Sequence, residues 1–385
     1  MSKVLKIAVD ARPLTVPNTG MGRYLFNILR EFALAQTPHQ FLLYCDRPFE
    51  LRFPLPEHWT VRTGGISSLG RSTVFAQVFF PLWAFRDGID VFWSPRHQLP
   101  LLLPPRSRKV LTVHDVVWKR FPQSIPRGLL ALEALLMPLS LRIADQAVTD
   151  SWFSRSEILH FFPWANDKVA VVYLASILKA EGKVGVCPLS APYFLTVGSY
   201  EPRKNFERML RAYLQYRQNN REPWDLAIVG TGQQATFTAV SEFVAENQLQ
   251  SCVHLLGGID DSILRSLYAH ARAVVMISLY EGFGLPLVEA MQWDLPLIAS
   301  NTSSVAEIAG PAGLLVDPMD TEAIAGGFTR ITQDEGVRAE LAQKSQERGR
   351  QFSWQRAASE TMALLSGEGL SGTPESELHQ AFSSR

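Results

Sequence analysis

Two doubly wound α/β units are the architecture that this sequence predicts, on three observations. Short β-rich runs alternate with longer amphipathic stretches, which is the pattern of parallel sheets covered by helices. The chain has 385 residues, more than one hydrophobic core usually supports. Between Ala175 and Pro192 the periodicity lapses into Gly, Lys, Pro and Ser, which marks a linker. These observations set an N-terminal unit at residues 1–180, a C-terminal unit at 190–350, and a polar tail over 368–385 that is expected to be poorly ordered. Open α/β sheets bind ligands beyond the carboxyl ends of their strands, so a site between two such units is expected.

The elements follow in order. Strands are predicted at Leu5–Val9, Phe41–Tyr44, Val91–Trp93, Val110–His114, Ala147–Thr149 and Val169–Val172, with helices including Gly22–Gln36 and Leu129–Ala144. In the second half they are predicted at Phe194–Val197, Leu226–Val229, Val253–Leu255, Ala273–Ile277, Pro296–Ala299 and Leu314–Val316, again separated by helical periodicity.

Composition narrows the function classes. At 46% hydrophobic and 19% charged residues, the chain reads as an ordinary globular protein. Cys45, Cys187 and Cys252 are too scattered for a zinc site or a disulfide framework, so a reducing compartment is expected. The N-terminus lacks the features of a signal peptide. The apolar stretches Val74–Phe85 and Gly128–Leu141 are too short to span a bilayer or carry Glu133 within them, so a cytoplasmic protein is expected.

The formal net charge is zero, but residues 1–190 hold 22 Lys and Arg against 14 Asp and Glu, and the remainder holds the opposite excess. Arg106, Arg108, Lys109, Lys119, Arg120 and Arg127 cluster beside the apolar stretches. The cluster fits a face for an anionic membrane or a phosphate-bearing lipid acceptor, and equally a solvated basic surface.

The strongest chemical signal is Glu281-Gly282-Phe283-Gly284-Leu285-Pro286-Leu287-Val288-Glu289, after the strand Ala273–Ile277. Pro286 suits a first helical turn, which places Glu289 in that turn and Glu281 in the loop before it. Gly282 and Gly284 let the backbone approach a ligand, and free amides at a helix start favour a diphosphate. A carboxylate at Glu289 can accept hydrogen bonds from both hydroxyls of a ribose, leaving Glu281 to face a transferred sugar.

This segment resembles the E-x7-E signature of glycosyltransferase family 4, whose members have the GT-B fold of two facing Rossmann-like domains and retain anomeric configuration. A second family element stands upstream, where Phe194–Val197 runs into Gly198-Ser199-Tyr200-Glu201-Pro202-Arg203-Lys204-Asn205. Arg203 and Lys204 match the basic pair that grips the donor diphosphate in the family, where two cations stabilise the charge gained as the glycosidic bond breaks.

The resemblance implies further roles. His114, at the end of Val110–His114, matches a histidine that contacts the transferred sugar or the acceptor, with Asp115 beside it. Gly20, Met21 and Gly22, within Thr19–Tyr24, resemble the loop that approaches phosphates or acceptor, although the third glycine of a dinucleotide fingerprint is missing. Ser151, Gly230 and Ile259 sit in weaker echoes, the last where family members hold the nucleobase with backbone atoms. The helical run after Phe352-Ser353-Trp354, over 351–367, resembles a closing helix that crosses back to the N-terminal domain.

No Asp-x-Asp motif occurs, so no metal and no cofactor is required, and the nucleotide sugar is itself the substrate. By resemblance the reaction is a retaining hexosyl transfer. Val9-Asp10-Ala11-Arg12-Pro13 and the following loop look most like bacterial mannosyltransferases of polysaccharide and lipid-linked oligosaccharide assembly. The implied partners are a nucleotide sugar donor, with GDP-mannose ahead of UDP-hexoses and dTDP-rhamnose, and a saccharide or lipid-linked acceptor, with no nucleic acid. A sugar-nucleotide epimerase of similar fold is the alternative.

Overall fold

The computed structural model of the chain describes residues 3–17, 19–65, 72–190 and 192–370; the expected tail from residue 371 onward lies outside them. The chain divides into two compact units, residues 1–174 with 354–385, and residues 175–353.

The first unit carries a parallel sheet ordered β3-β2-β1-β4-β5-β6-β7. Its strands are β1 (Lys6–Asp10), β2 (Gln40–Cys45), β3 (Thr60–Thr63), β4 (Val91–Ser94), β5 (Arg108–Thr112), β6 (Gln146–Thr149) and β7 (Val169–Val171). The central strands read as continuous apolar runs because helices cover both faces of a parallel sheet. In β4, Phe92 joins a core with Phe75, Phe80 and Met137, whereas Trp93 on the other face meets Tyr24 and Phe32. The edge strand β3 is mostly exposed and has one apolar residue in four, so no hydrophobic run announces it.

The helices are α1 (Gly20–Leu34), α2 (Ser72–Asp87), α3 (Val117–Arg120), α4 (Arg127–Ile143) and α5 (Trp152–Phe161). Thr19 accepts the Gly22 amide at 3.2 Å and so caps α1, which starts two residues before its predicted position. No helix joins β4 to β5 among the described residues; residues 95–107 make the crossing as irregular chain.

The second unit carries a parallel sheet ordered β10-β9-β8-β11-β12-β13. Its strands are β8 (Tyr193–Val197), β9 (Asp225–Val229), β10 (Val253–Leu255), β11 (Ala273–Met276), β12 (Leu297–Ser300) and β13 (Gly313–Val316). Around it lie α6 (Phe206–Asn219), α7 (Gln234–Glu246), α8 (Asp261–His270), α9 (Leu285–Ala290), α10 (Ser303–Ala309), α11 (Thr321–Gln333) and α12 (Glu335–Gly349). One face is filled by aromatic packing of Phe194, Tyr213, Tyr216 and Phe328, all fully buried.

The stretch predicted as a linker is tied to this second unit. The Gly185 amide donates to the Ser262 carbonyl at 3.0 Å, and Arg265 Nε donates to the Lys179 carbonyl at 3.2 Å. The final helix, α13 (Trp354–Ser366), belongs to the first unit. Trp354 packs on Tyr24 with ring centroids 6.4 Å apart, and the Leu364 carbonyl accepts from Arg108 Nε at 3.1 Å.

Candidate active site

In the second unit the predicted donor residues gather at the carboxyl ends of β8, β9, β10 and β11, which are neighbours in the sheet. Gly198 follows β8, Gly230 follows β9, Ile259 follows β10, and Glu281, Gly282, Phe283, Gly284 and Leu285 follow β11. The first two loops touch so closely that both contact points must be glycine. A Cβ on Gly230 would lie 1.8 Å from the Gly198 carbonyl oxygen, and a Cβ on Gly232 would lie 2.4 Å from the Tyr200 nitrogen. The Gly198 amide donates to the Val229 carbonyl and the Gly230 amide to the Gly257 carbonyl, both at 3.0 Å. Ile259 immediately precedes Asp260, whose side chain caps α8.

Arg203 and Lys204 lie in a single 3₁₀ turn, Pro202–Lys204, which ends at Asn205 in the left-handed conformation. Asn205 is fixed there by donating from Nδ2 to the Pro318 carbonyl at 2.7 Å. Arg203 Nη1 donates to Glu281 Oε2 at 2.6 Å and to the Tyr280 carbonyl at 3.1 Å, and its Nε donates to Glu201 at 2.9 Å. The Lys204 ammonium lies 2.6 Å from Glu281 Oε1, and its aliphatic stem runs past Gly198. The two cations and the first acid of the E-x7-E segment are therefore one cluster.

Burial by itself would raise the pKa of Glu281, but the charges of Lys204 and Arg203, with hydrogen bonds from Lys204 and Ser278, bring it down to about 2. The surrounding cations thus favour its ionised form. It holds the cations in position. Behind it, Ser304 Oγ donates to the Glu281 carbonyl at 2.9 Å, and Ser300 Oγ to the Ser278 carbonyl at 2.7 Å.

Gly284 caps α9 with φ 111°, a value that glycine adopts without strain, and Pro286 is the second helical residue. Glu289 is the fifth, in the second turn rather than the predicted first, because the helix starts at Leu285. It is buried and accepts from the Tyr268 hydroxyl at 2.8 Å, and the Tyr268 ring stacks on Trp293 with centroids 5.0 Å apart. Phe283 is buried edge-on against Phe352.

In the first unit, His114 follows β5 and is held on several sides. Its Nδ1 faces Asp150 Oδ2 at 2.7 Å, and Tyr24 stands edge-on to its ring at 5.0 Å. The His114 amide donates to His97 Nε2 at 3.3 Å, and His97 Nδ1 pairs with Glu133 at 2.6 Å. Burial lowers the His97 pKa while Glu133 raises it, and the balance is upward. Asp150 is raised by burial against the pull of His114.

The other predicted residues of this unit have local partners. Asp115 accepts the Val117 amide at 2.9 Å, and Ser151 caps α5 by accepting from the Ser154 amide at 3.0 Å. Gly20 and Met21 open α1 and are exposed, whereas a Cβ on buried Gly22 would lie 2.5 Å from the Val16 carbonyl oxygen.

Sequence reasoning missed the groups that position these residues: Glu201 and Ser278 around the cations, Tyr268 on Glu289, and Asp150, His97 and Tyr24 around His114. Apart from Glu201, each lies far along the chain from its partner or on another element, so no local spacing reveals it. Glu201 alone was legible, sitting two residues before Arg203 within the quoted motif.

The glycosyl transferases group 1 family matches residues 183–352, the span that contains the cation cluster and both acids. The O-antigen chain mannosyltransferase B of Escherichia coli is 29% identical over 380 residues, covering 93% of this chain and 98% of that protein. A sucrose-phosphate synthase from Thermosynechococcus elongatus has a similar structure, with a TM-score of 0.72 at 19% identity, covering 99% and 100% of the two chains. WaaG, a glycosyltransferase involved in lipopolysaccharide biosynthesis, also matches with a TM-score of 0.72, at 14% identity over 94% of this chain and 100% of that one. Residues 183–352 thus match the glycosyl transferases group 1 family, and the chain is a glycosyltransferase with the two-domain α/β GT-B fold.

Proposed function

We propose that the protein transfers mannose from GDP-mannose, with retention of anomeric configuration and without a metal ion, to a saccharide or lipid-linked saccharide acceptor during polysaccharide or lipopolysaccharide assembly on the cytoplasmic side of the membrane. The transfer of mannose is supported by the relative of nearly full length, which is itself a mannosyltransferase. The single structural observation behind the reading is the cluster of Arg203, Lys204 and Glu281 at the strand ends of the second unit.

In this reading the chain's own cations take the charge that builds on the leaving diphosphate. Lys204 has three N–H donors, and its contact with Glu281 leaves donors for phosphate oxygens. Such preorganised donors, fixed before the reaction, stabilise developing charge without reorganisation at the moment of bond breaking. Glu281 orients both cations and presents its flanking backbone to the sugar. Glu289 accepts from the ribose hydroxyls, held by Tyr268. His114, oriented through Asp150, lines the reacting face, and a leaving phosphate oxygen assists deprotonation of the incoming hydroxyl.

The test is incubation with GDP-mannose, UDP-glucose and dTDP-rhamnose in the presence of chelator, with and without mannosyl oligosaccharide acceptors, followed by NMR of the products. An α-mannoside formed from the α-linked donor in chelator supports the reading. A β-product, a strict metal requirement, or turnover of the other donors alone contradicts it.

A further inference from the structure

The strand order of the first unit reverses at one point. It runs outward from β1 through β2 to β3 on one side, and from β4 through β5 and β6 to β7 on the other, so the switch falls between the neighbours β1 and β4. Open α/β sheets take ligands in the crevice beyond the carboxyl ends of the strands at such a switch. Arg12 follows β1 there, and Arg96 follows β4.

The turn that carries Arg96 is fixed and wraps His114. The Arg96 carbonyl accepts from Ser94 Oγ at 3.0 Å and from the Gln98 amide at 2.8 Å. On one side of Arg96 the Pro95 carbonyl lies 3.3 Å from His114 Nε2, and on the other His97 Nε2 accepts the His114 amide.

The side chain of Arg96 is the cation left over in this crevice. Asp10, Asp46 and Glu133 all act on its charge, but each is engaged by another group. Asp10 takes Arg12 in a fork, with Nε at 2.8 Å from Oδ1 and Nη2 at 2.5 Å from Oδ2. Asp46 accepts from Arg47 Nη2 at 2.9 Å, while Glu133 holds His97 at 2.6 Å and Gln98 Nε2 at 2.9 Å. Among the described residues the half-buried Arg96 guanidinium has no hydrogen-bond or ion-pair partner. Burial, and then the like charge of Arg12, lower its pKa from 12.5 to about 10, so at neutral pH it remains a cation in a place that disfavours its charge. Removing a cation from water without a counter-charge is costly, and an incoming anion offsets that cost.

We propose that the crevice between β1 and β4 binds an oxyanion carried by the acceptor sugar, a carboxylate or a phosphate monoester, through the Arg96 guanidinium. The planar fork of arginine matches two oxygens of either group. The turn around His114 then orients the acceptor by its charge as well as by its hydroxyls. This deepens the proposed transfer, on which it rests only in calling the ligand the acceptor.

The experiment titrates glucuronate, mannose 6-phosphate and methyl α-mannoside into the full chain without donor, followed by ligand-detected NMR. One of the two anionic sugars should bind at least about tenfold more tightly than the neutral mannoside, and which one does so tells carboxylate from phosphate. Arg96→Met should erase that preference and leave the melting temperature equal or higher, because it removes a like charge beside Arg12. Arg96→Lys keeps the charge without the fork and should keep part of the preference. No preference in the wild type, an unchanged preference in Arg96→Met, or a lowered melting temperature of that variant overturns the inference. A preference that survives Arg96→Met and vanishes in Lys204→Ala belongs to the donor cluster and overturns it too. No titration contains donor, so a failure to turn over GDP-mannose would strike the proposed activity and leave the binding result standing.

Discussion

The Lys204 ammonium lies 2.6 Å from Glu281 Oε1, across 77 residues of sequence, and Arg203 approaches the other oxygen of the same carboxylate equally closely. One buried acid therefore fixes two cations. Glu281→Gln leaves both facing a neutral amide, and removing one member of a buried ion-pair group typically costs about 3–5 kcal/mol. Urea denaturation should show a loss of that order, with turnover falling as the cations lose their fixed positions.

The same pair has a pH signature. Glu281 has its folded pKa lowered from 4.5 to about 2, so it contributes stability that is fully present above 4.5 and is lost as pH falls from there toward 2. Melting curves of wild type and Glu281→Gln should differ most above pH 4.5 and converge toward pH 2. A constant gap across that window would mean that the carboxylate is not held by the cations.

Asp150 sits 2.7 Å from His114 Nδ1 and the Pro95 carbonyl 3.3 Å from its Nε2, so the ring is held at both nitrogens. Asp150→Asn preserves size but changes the hydrogen-bond partner. If His114 lines the reacting face, kcat should fall by up to about 10²-fold, as expected of a misplaced site group, with donor affinity nearly unchanged. Steady-state kinetics with varied donor would show it.

Gly230→Ala forces a methyl onto the Gly198 carbonyl, since its Cβ would lie 1.8 Å from that oxygen. Overpacking of this kind typically costs about 1–3 kcal/mol, and here it also pushes the loop along which Lys204 runs. Gly326→Ala is the control, because Gly326 lies on the exposed side of α11 and a Cβ there meets nothing within 4 Å. It should stabilise by up to about 1 kcal/mol. Melting temperatures of the two variants should move in opposite directions.

Much of this was legible in the sequence because parallel strands buried on both faces are written as short apolar runs. All twelve predicted strands coincide with observed ones to within two residues at each end. The exposed edge strand Thr60–Thr63 was not, having no such run. In the candidate site, Arg203, Lys204, Glu281 and Glu289 stand in compact motifs and could be read directly. Their mutual contacts could not, because sheet order brings β8 beside β11 although β9 and β10 intervene in sequence. The positioning of Glu289 by Tyr268 on α8, and of His114 by Asp150 after β6, likewise depends on packing between elements.

Calorimetric titration of GDP into wild type and into Lys204→Ala, in chelator, probes the diphosphate clasp most directly. The clasp predicts that wild type binds GDP and that the variant, still folded by circular dichroism, binds at least about tenfold more weakly, since a charge-assisted hydrogen bond is worth about 1.5–3 kcal/mol. Equal affinity in the two proteins would contradict it.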